Sequence, residues 1–169
     1  MPLIQNSRGQ LVELNDNVFD VIDQAHTLFN INRFGGKATF FYSVGDHIMN
    51  GLQLCKDDEQ RRYFLLHESW EAYIGIDLSS PYKYLFDWYC EREEEYLAWV
   101  YEMHGLDFSR YDEMVHQLDS DMLVTEESCL FEHHSEYNWS KHGTVQDIKL
   151  KLYGKKDYLK EYKRLFDEM

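Results

Sequence analysis

One short run of this sequence combines an imidazole with two carboxylates on a predicted helix. His67 is followed at once by Glu68 and four residues later by Glu71, within the run LLHESWEAYIG. Four residues make about one helical turn, so His67 and Glu71 share a face, and Glu68 is rotated by about 100° from His67. Burying so many ionisable groups beside apolar residues is costly unless a metal ion or partner charges compensate. The run is therefore the first candidate for metal chemistry.

Two other predicted helices each carry one polar side chain on an apolar stripe. His47 follows Ser43 and Asp46, whose spacing is typical of a capping box at the start of a helix. Asp119 lies among the apolar positions of a later helix, and each residue alone is more often structural than functional. Together, two imidazoles and two carboxylates form a mixed nitrogen and oxygen ligand set. This set suits a divalent ion such as Co, Mn, Zn or Mg and leaves positions for water and substrate, with the ligands His47, His67, Glu68 and Asp119.

Length, composition and charge limit the class of protein. The chain has 169 residues, of which 44% are hydrophobic, so we expect one domain over residues 1–169, with a core at about 15–135. A net charge of −14 argues against a nucleic-acid polymer or an anionic membrane as the partner. The sequence contains no long apolar run, and we expect a cytoplasmic protein. The three cysteines never form a CxxC pair, so a disulfide framework or zinc ribbon has little support.

The apolar periodicity predicts an all-α fold of about six helices. The first predicted helix follows the polar run LNDN, which can cap it, and Gly105 is expected to end the fourth helix. We expect Ser109 with Asp112 to begin the fifth helix, and Gly154 to interrupt the last. The sequence shows no convincing strands. The predicted helices span about 17–30, 43–55, 59–74, 82–104, 109–133 and 146–169.

Several surface features are also predicted. The acidic run at 91–95 and Asp121 are expected to face solvent. Adjacent His133 and His134 would point about 100° apart on a helix, which disfavours a second metal site there. Trp88 and Tyr89 are expected to be exposed aromatics, which predicts a homodimer.

The order His47, then His67-Glu68, then Asp119 resembles the H…HD…D pattern of the HD-domain metal-dependent phosphohydrolases. The surrounding runs NRFGGKATFFYSVGDH, LLHESWEAYIGIDLSSPYK and LDSDMLVTEE are similar to the 5′-deoxynucleotidase-like branch of that family, which is common in bacteriophages. The similarity covers roughly residues 5–130. It implies an HD-domain helical bundle around a metal site, with His47, His67, Glu68 and Asp119 as the metal ligands. Glu68 stands where the family has aspartate.

The resemblance also implies roles for five further residues. Arg33 falls at the family's phosphate-binding arginine, Phe34 at the aromatic that contacts the nucleoside, and Lys83 would add a positive charge for phosphate. Glu71 matches the acidic residue expected to work as general acid and base with Asp77. Asp77 follows an apparent one-residue insertion, because the family's Gly-Asp pair is split by Ile76 in this sequence.

The function implied is hydrolysis of a small nucleotide, most simply a 5′-deoxynucleoside monophosphate, by a metal-activated water. One alternative is a deoxynucleoside triphosphohydrolase of the phage dATPase type. Another is a degenerate HD fold that binds a nucleotide or a protein without turnover, for which Glu68 would be the sign. The resemblance to phage proteins makes the host cytoplasm the expected location of a phage-encoded chain.

Overall fold

The protein was analysed as a computed structural model, which describes residues 3–14, 16–132 and 137–166. This part of the chain is mostly helical, and it also contains an N-terminal β-hairpin, so the expectation of no strands is wrong. In the hairpin, strands β1 (Leu3–Gln5) and β2 (Leu11–Glu13) pair antiparallel. The α-helices are α1 (Val21–Leu28), α2 (Val44–Gly51), α3 (Asp58–Leu66), α4 (Ser69–Ile74), α5 (Ser80–Lys83), α6 (Asp87–Met103), α7 (Gln117–Leu130) and α8 (Lys155–Phe166).

Local side-chain hydrogen bonds set the starts of the first two helices. The carboxylate of Asp20 accepts the N–H groups of Ile22 and Asp23, so Asp20 caps α1 and the LNDN run does not. The prediction at α2 is confirmed, because Ser43 and Asp46 form a reciprocal capping box. This box fixes the first turn of α2, which carries His47.

Two of the predicted long helices are divided. The fourth is split into α5 and α6, and Gly105 ends α6 with a φ of 69°, as predicted. Before α7 the chain forms a 3₁₀ turn over Phe108–Arg110, capped by Asp107, and then a π-helical turn over Asp112–His116. Ser109 therefore does not begin the helix. His133 and His134 lie outside the described residues.

Residues 146–154 are not helical, so the predicted start of the last helix is wrong. Side chains on α2 and α7 hold this segment by hydrogen bonds to its backbone, and these bonds replace the helical ones. Asp121 takes part, because it accepts the N–H of Thr144 and does not simply face solvent. Gly154 lies directly before α8. The bonded pairs are Asn50 with Lys151, Asp46 with Tyr153, and Thr125 with Gln146.

The helices bury one continuous, largely aromatic core. Helix α8 belongs to it, because Tyr158 and Leu165 are buried in the same cluster as the residues of α3. Burial of aromatic rings contributes strongly to the stability of such a core. Its largest fully buried side chains include Trp70, Tyr42, Tyr63, Tyr96, Tyr101, Tyr158 and Phe64.

The two aromatic residues that predicted a homodimer differ in exposure. Trp88 is 59% exposed, but Tyr89 is only 5% exposed because its ring packs against Trp70. The homodimer stays a prediction, and Tyr89 no longer contributes to it. None of the described helices combines the length and apolar character that crossing a bilayer requires.

Candidate metal centre

Three separate parts of the fold bring four ligand side chains to one point. Helix α2 supplies His47, the junction of α3 and α4 supplies His67 and Glu68, and α7 supplies Asp119. One ligand atom from each residue lies within 4.8 Å of the other three. His47 Nε2 is 3.2 Å from His67 Nε2 and 3.1 Å from Asp119 Oδ1. Donors that bind one ion at about 2.0–2.2 Å lie about 3–3.5 Å apart, so the group can hold a metal ion.

The hydrogen bonds of the two imidazoles decide which ring nitrogens face the centre. His67 Nδ1 lies 2.6 Å from the carbonyl oxygen of Phe64, and His47 Nδ1 lies 2.8 Å from Glu126 Oε1. A carbonyl or carboxylate oxygen can only accept, so each Nδ1 carries the proton and donates it. Although burial raises the pKa of Glu126, Arg33 holds it below its ordinary value, so this carboxylate is ionised. Both Nε2 lone pairs therefore point into the centre.

A break between α3 and α4 places His67 and Glu68 on the same centre. In a continuous helix, adjacent side chains point about 100° apart, and the predicted helix over 59–74 would have placed Glu68 at the border of the same pocket as His67. In the structure α3 ends at Leu66, and Glu68 leaves helical geometry with φ −97° and ψ 21°. Glu68 Oε1 then lies 3.5 Å from His67 Nε2. The prediction of one unbroken helix is wrong, because the helix is interrupted at His67 and Glu68, the two residues that it contributes to the ligand set.

Close packing fixes the ring of His67. The ring of Phe64 lies against it with the centroids 4.2 Å apart. Phe64 in turn fits against Gly51, where an added Cβ would lie 2.1 Å from Phe64 Cε1. The absence of a side chain at Gly51 therefore lets Phe64 support the metal ligand.

Asp119 provides the strongest sign that the centre suits a cation. Its Oδ1 is buried, and no group in the described part of the chain donates a hydrogen bond to it. The nearest ring nitrogen is His47 Nε2, at 3.1 Å, and a neutral His47 that donates from Nδ1 to Glu126 has no proton at this nitrogen. A buried acceptor without a donor is rare in folded proteins and calls for an ion or water. The Asp119 carboxylate thus fits a metal ligand.

Arg33 lies beside the four ligands, as the sequence predicts. Its side chain is only 10% exposed, and its Nε donates to Glu126 Oε2 at 2.8 Å. Its Nη1 donates to Glu68 Oε1 at 3.3 Å, and its Nη2 lies 3.8 Å from Asp119 Oδ1. The guanidinium therefore faces the ligand carboxylates from one side.

A tight turn over Arg33–Gly36 directs Arg33 inward and Phe34 to its flank. Phe34 has a φ of 57°, the one positive value among the described non-glycine residues. This left-handed conformation is unfavourable for a side chain with a Cβ, and it is typical of functional turns. The Phe34 ring contacts Phe131 edge-on, and its centroid lies 5.4 Å from the Arg33 guanidinium carbon. The structure therefore places Arg33 beside the ligands and the ring of Phe34 beside the Arg33 guanidinium.

A second charged group lies next to the centre. Lys83 Nζ donates to Glu71 Oε1 and to Glu93 Oε1, each at 2.6 Å. The prediction of a wholly solvated acidic run at 91–95 is wrong at Glu93, where burial and Glu71 raise the pKa to about 7. Asp77 is half-buried, and burial raises its pKa although Arg33 lowers it. The structure thus gathers Glu71, Asp77 and Lys83, although Lys83 is paired with two carboxylates.

Glu126 is the site residue that the sequence analysis missed. It is completely buried and contacts His47, Arg33 and Tyr42. A signal was available, because Glu126 follows Asp119 by seven residues, which is about two helical turns and returns to the same face. The acidic pair at 126 and 127 gives no indication by itself of which carboxylate points inward.

Part of this chain is similar to a protein of Escherichia coli. No protein-family model matches this chain. The chain is 35% identical over 94 residues to the uncharacterized protein YfdR of Escherichia coli strain K12. The aligned part is 56% of this chain and 52% of the E. coli protein, so the chain spans about half the length of this curated relative. The name of this relative gives no activity.

Proposed function

We propose that this protein is a metal-dependent phosphohydrolase of the HD-domain type that acts on nucleotides, most simply 5′-deoxynucleoside monophosphates. One observation carries the proposal. Two imidazoles whose Nδ1–H groups are already engaged direct their Nε2 lone pairs at each other and at two carboxylates. Such an arrangement of acceptors is unfavourable without a cation among them.

The residues present suit phosphate-ester chemistry. A divalent ion held by His47, His67, Glu68 and Asp119 would lower the pKa of a bound water and supply a hydroxide nucleophile. Both nitrogen and oxygen donors are present, which suits Mn, Co or Zn, and the oxygens also suit Mg. The side chain of Asp119 is 42% exposed, so the centre is accessible from outside.

Arg33 would bind the phosphate. Its Nη2 lies beyond hydrogen-bond distance of Asp119 Oδ1, and this edge of the guanidinium is directed toward the ligands. Paired N–H donors on one planar group match two phosphate oxygens better than the single charge of a lysine does. The ring of Phe34, next to this guanidinium, would contact the nucleoside.

The group of Glu71, Lys83 and Glu93 would supply the proton that the leaving alkoxide needs. Lys83 is 19% exposed and bridges the two carboxylates, so a proton can be held at the edge of the centre. Although burial raises the pKa of Glu71, Lys83 holds it below its ordinary value, so Glu71 would act as the general base, and Glu93, whose pKa burial and Glu71 raise to about 7, would hold the proton. Asp77 would assist from the same side.

The test is release of phosphate from a panel of nucleotides. The protein should be supplied in turn with Mn, Co, Zn and Mg and incubated with deoxynucleoside mono-, di- and triphosphates. We expect inorganic phosphate from the monophosphates, and His67→Ala should abolish it. Release of triphosphate or pyrophosphate from a deoxynucleoside triphosphate would instead support the triphosphohydrolase. Metal binding without any turnover would support the other alternative, a degenerate HD fold that binds a nucleotide or a protein.

A further inference from the structure

Glu126 is a carboxylate whose two oxygens serve different halves of the candidate site. Its Oε1 accepts from His47 Nδ1 at 2.8 Å and from the hydroxyl of Tyr42 at 3.0 Å. Its Oε2 accepts from Arg33 Nε at 2.8 Å. His47 belongs to the metal ligands, and Arg33 to the proposed phosphate site. One buried side chain thus contacts both.

The surroundings hold Glu126 in a single position. It lies on α7 with no exposed surface, and the Tyr42 hydroxyl that donates to it accepts from Asn50 at 3.0 Å. Asn50 is itself bonded to the backbone of Lys151. A buried carboxylate with three donors is stable in place, whereas removal of the carboxylate leaves its donors unpaired. Glu126 is therefore positioned by a network that extends away from the metal centre.

The contact with His47 affects the metal ligand directly. Because Glu126 accepts the Nδ1 proton, the Nε2 of His47 is left with the lone pair that binds metal. Without this acceptor the proton can move to Nε2, and that tautomer cannot bind an ion. The same contact fixes the orientation of the ring.

The contact with Arg33 affects the metal site indirectly. The Nη atoms of Arg33 lie 3.3 Å from Glu68 Oε1 and 3.8 Å from Asp119 Oδ1. The guanidinium can therefore compete with a metal ion for these two oxygens. The bond from Nε to Glu126 holds the guanidinium to one side. If this bond is lost, Arg33 can move fully onto Glu68 and Asp119, where it competes with a metal ion and no longer faces phosphate.

From these contacts we infer that Glu126 is a positioning residue that couples metal binding to phosphate binding, by fixing the tautomer of His47 and the placement of Arg33. This inference rests on the proposed function of the site. Neighbouring Glu127 provides a matched control, because it is also buried on α7 but lines a separate cavity with Trp139 and Val145.

The experiment compares Glu126→Ala, Glu126→Gln and Glu127→Gln with the wild type. The dissociation constant of Co²⁺ is measured by competition with a chromogenic chelator, and that of inorganic phosphate by titration of the Co²⁺-loaded protein. Glu126→Ala should weaken Co²⁺ binding by about 10- to 100-fold. Glu126→Gln should recover most of this loss, because its amide oxygen can still accept from His47 Nδ1. Glu127→Gln should change neither constant by more than about threefold.

The dissociation constant of phosphate distinguishes a positioning role of Glu126 from the effect of its negative charge alone. Glu126→Gln removes a negative charge near the site, so electrostatics alone would tighten binding of the anion. Loss of the Arg33 bond should instead weaken phosphate binding by about tenfold, on the scale of a charge-assisted hydrogen bond. Tighter phosphate binding in Glu126→Gln would overturn the inference. Co²⁺ affinity in Glu126→Ala within about threefold of the wild type would do so as well.

Failure of the inference and failure of the proposed function give different results. If the wild type binds Co²⁺ and hydrolyses nucleotides while the Glu126 variants behave like it, only the role of Glu126 is wrong. If the wild type binds no divalent ion, both are wrong. If Glu126→Ala does not fold, Glu126→Gln still tests the inference, because it should keep most of the Co²⁺ affinity and weaken phosphate binding by about tenfold.

Discussion

The Nε2 atoms of His47 and His67 face each other at 3.2 Å, while the opposite nitrogen of each ring donates to an oxygen. Two lone pairs directed at one another repel, and the adjacent carboxylates of Glu68 and Asp119 increase the negative potential. The fold holds these groups together through side chains that are mostly buried. A cation placed among these four groups would therefore interact favourably with all of them.

The first prediction concerns metal content. The purified protein should contain about one divalent ion per chain after incubation with Mn, Co or Zn and removal of the excess. His67→Ala should lose the ion, because it removes one of two nitrogen donors. Elemental analysis by mass spectrometry measures this directly. His104→Ala is the matched control, since His104 is also buried but bonds to Val100 and Tyr162 away from the centre. Absence of metal in the wild type under all conditions would contradict the proposal.

The second prediction concerns Arg33. Arg33→Ala should lower kcat/KM by roughly 30- to 1000-fold, which corresponds to about 2–4 kcal/mol for a lost charge-assisted contact. The variant should keep its metal, because Arg33 contacts phosphate in the proposed site and is not a ligand. Steady-state kinetics and metal analysis on the same sample separate the two effects.

Arg61→Ala is the control for loss of a paired arginine. Arg61 bonds to Glu161 and to the carbonyl of Leu52, and neither partner belongs to the centre. Its activity should remain near that of the wild type. A change below threefold in Arg33→Ala, with the metal retained, would show that Arg33 does not bind the phosphate.

Local patterns in the sequence predicted much of the helical framework. The capping box at Ser43 and the glycine end at Gly105 are short-range signals, and both are confirmed. The sequence predicts a helix over 146–154, but this segment is not helical. Its backbone N–H groups donate to Asp46, Asn50 and other side chains that are distant in sequence. Such long-range hydrogen bonds leave no periodic signal in the sequence.

The four candidate metal ligands were predicted as a group, but their geometry was not. Residues 59–74 contain no glycine or proline, so the sequence predicts a continuous helix through His67, whereas the structure interrupts that helix at Glu68. The role of Glu126 depends on its burial against Arg33 and His47, which lie 93 and 79 residues away in sequence. The residue types in the sequence indicate a metal site, whereas the residues that hold the ligands in place are identified only by their contacts in the folded structure.

The third prediction tests the packing behind His67. Gly51→Ala should lower the free energy of unfolding by about 1–3 kcal/mol, because the new methyl group overlaps the Phe64 ring. Displacement of that ring should also disturb His67 and weaken metal binding. Urea denaturation measures the stability. Gly154→Ala is the control, since its added Cβ would lie 3.8 Å from the nearest atom, and its stability should stay within about 0.5 kcal/mol.

The last prediction concerns the glutamate that stands where the HD pattern has aspartate. Burial and Glu71 raise the pKa of Glu68 well above its ordinary range although Arg33 lowers it, and a bound metal ion would favour the charged form of this carboxylate. Glu68 Oε1 lies 3.5 Å from His67 Nε2 and 3.8 Å from His47 Nε2, within reach of a shared ion. We therefore expect the longer side chain to serve as a ligand and the protein to be an active enzyme.

Three variants of Glu68 test this expectation. Glu68→Asp should keep metal and measurable hydrolysis, because its carboxylate is retained about 1–1.5 Å farther back. Glu68→Ala should lower both metal content and rate, and Glu68→Gln should lower metal content without changing side-chain volume. Metal analysis and phosphate release are measured for each. If Glu68→Ala matches the wild type in both, Glu68 does not bind the ion. If the metal-loaded wild type is inert and only Glu68→Asp turns over, the protein is a degenerate hydrolase and the proposed activity is wrong.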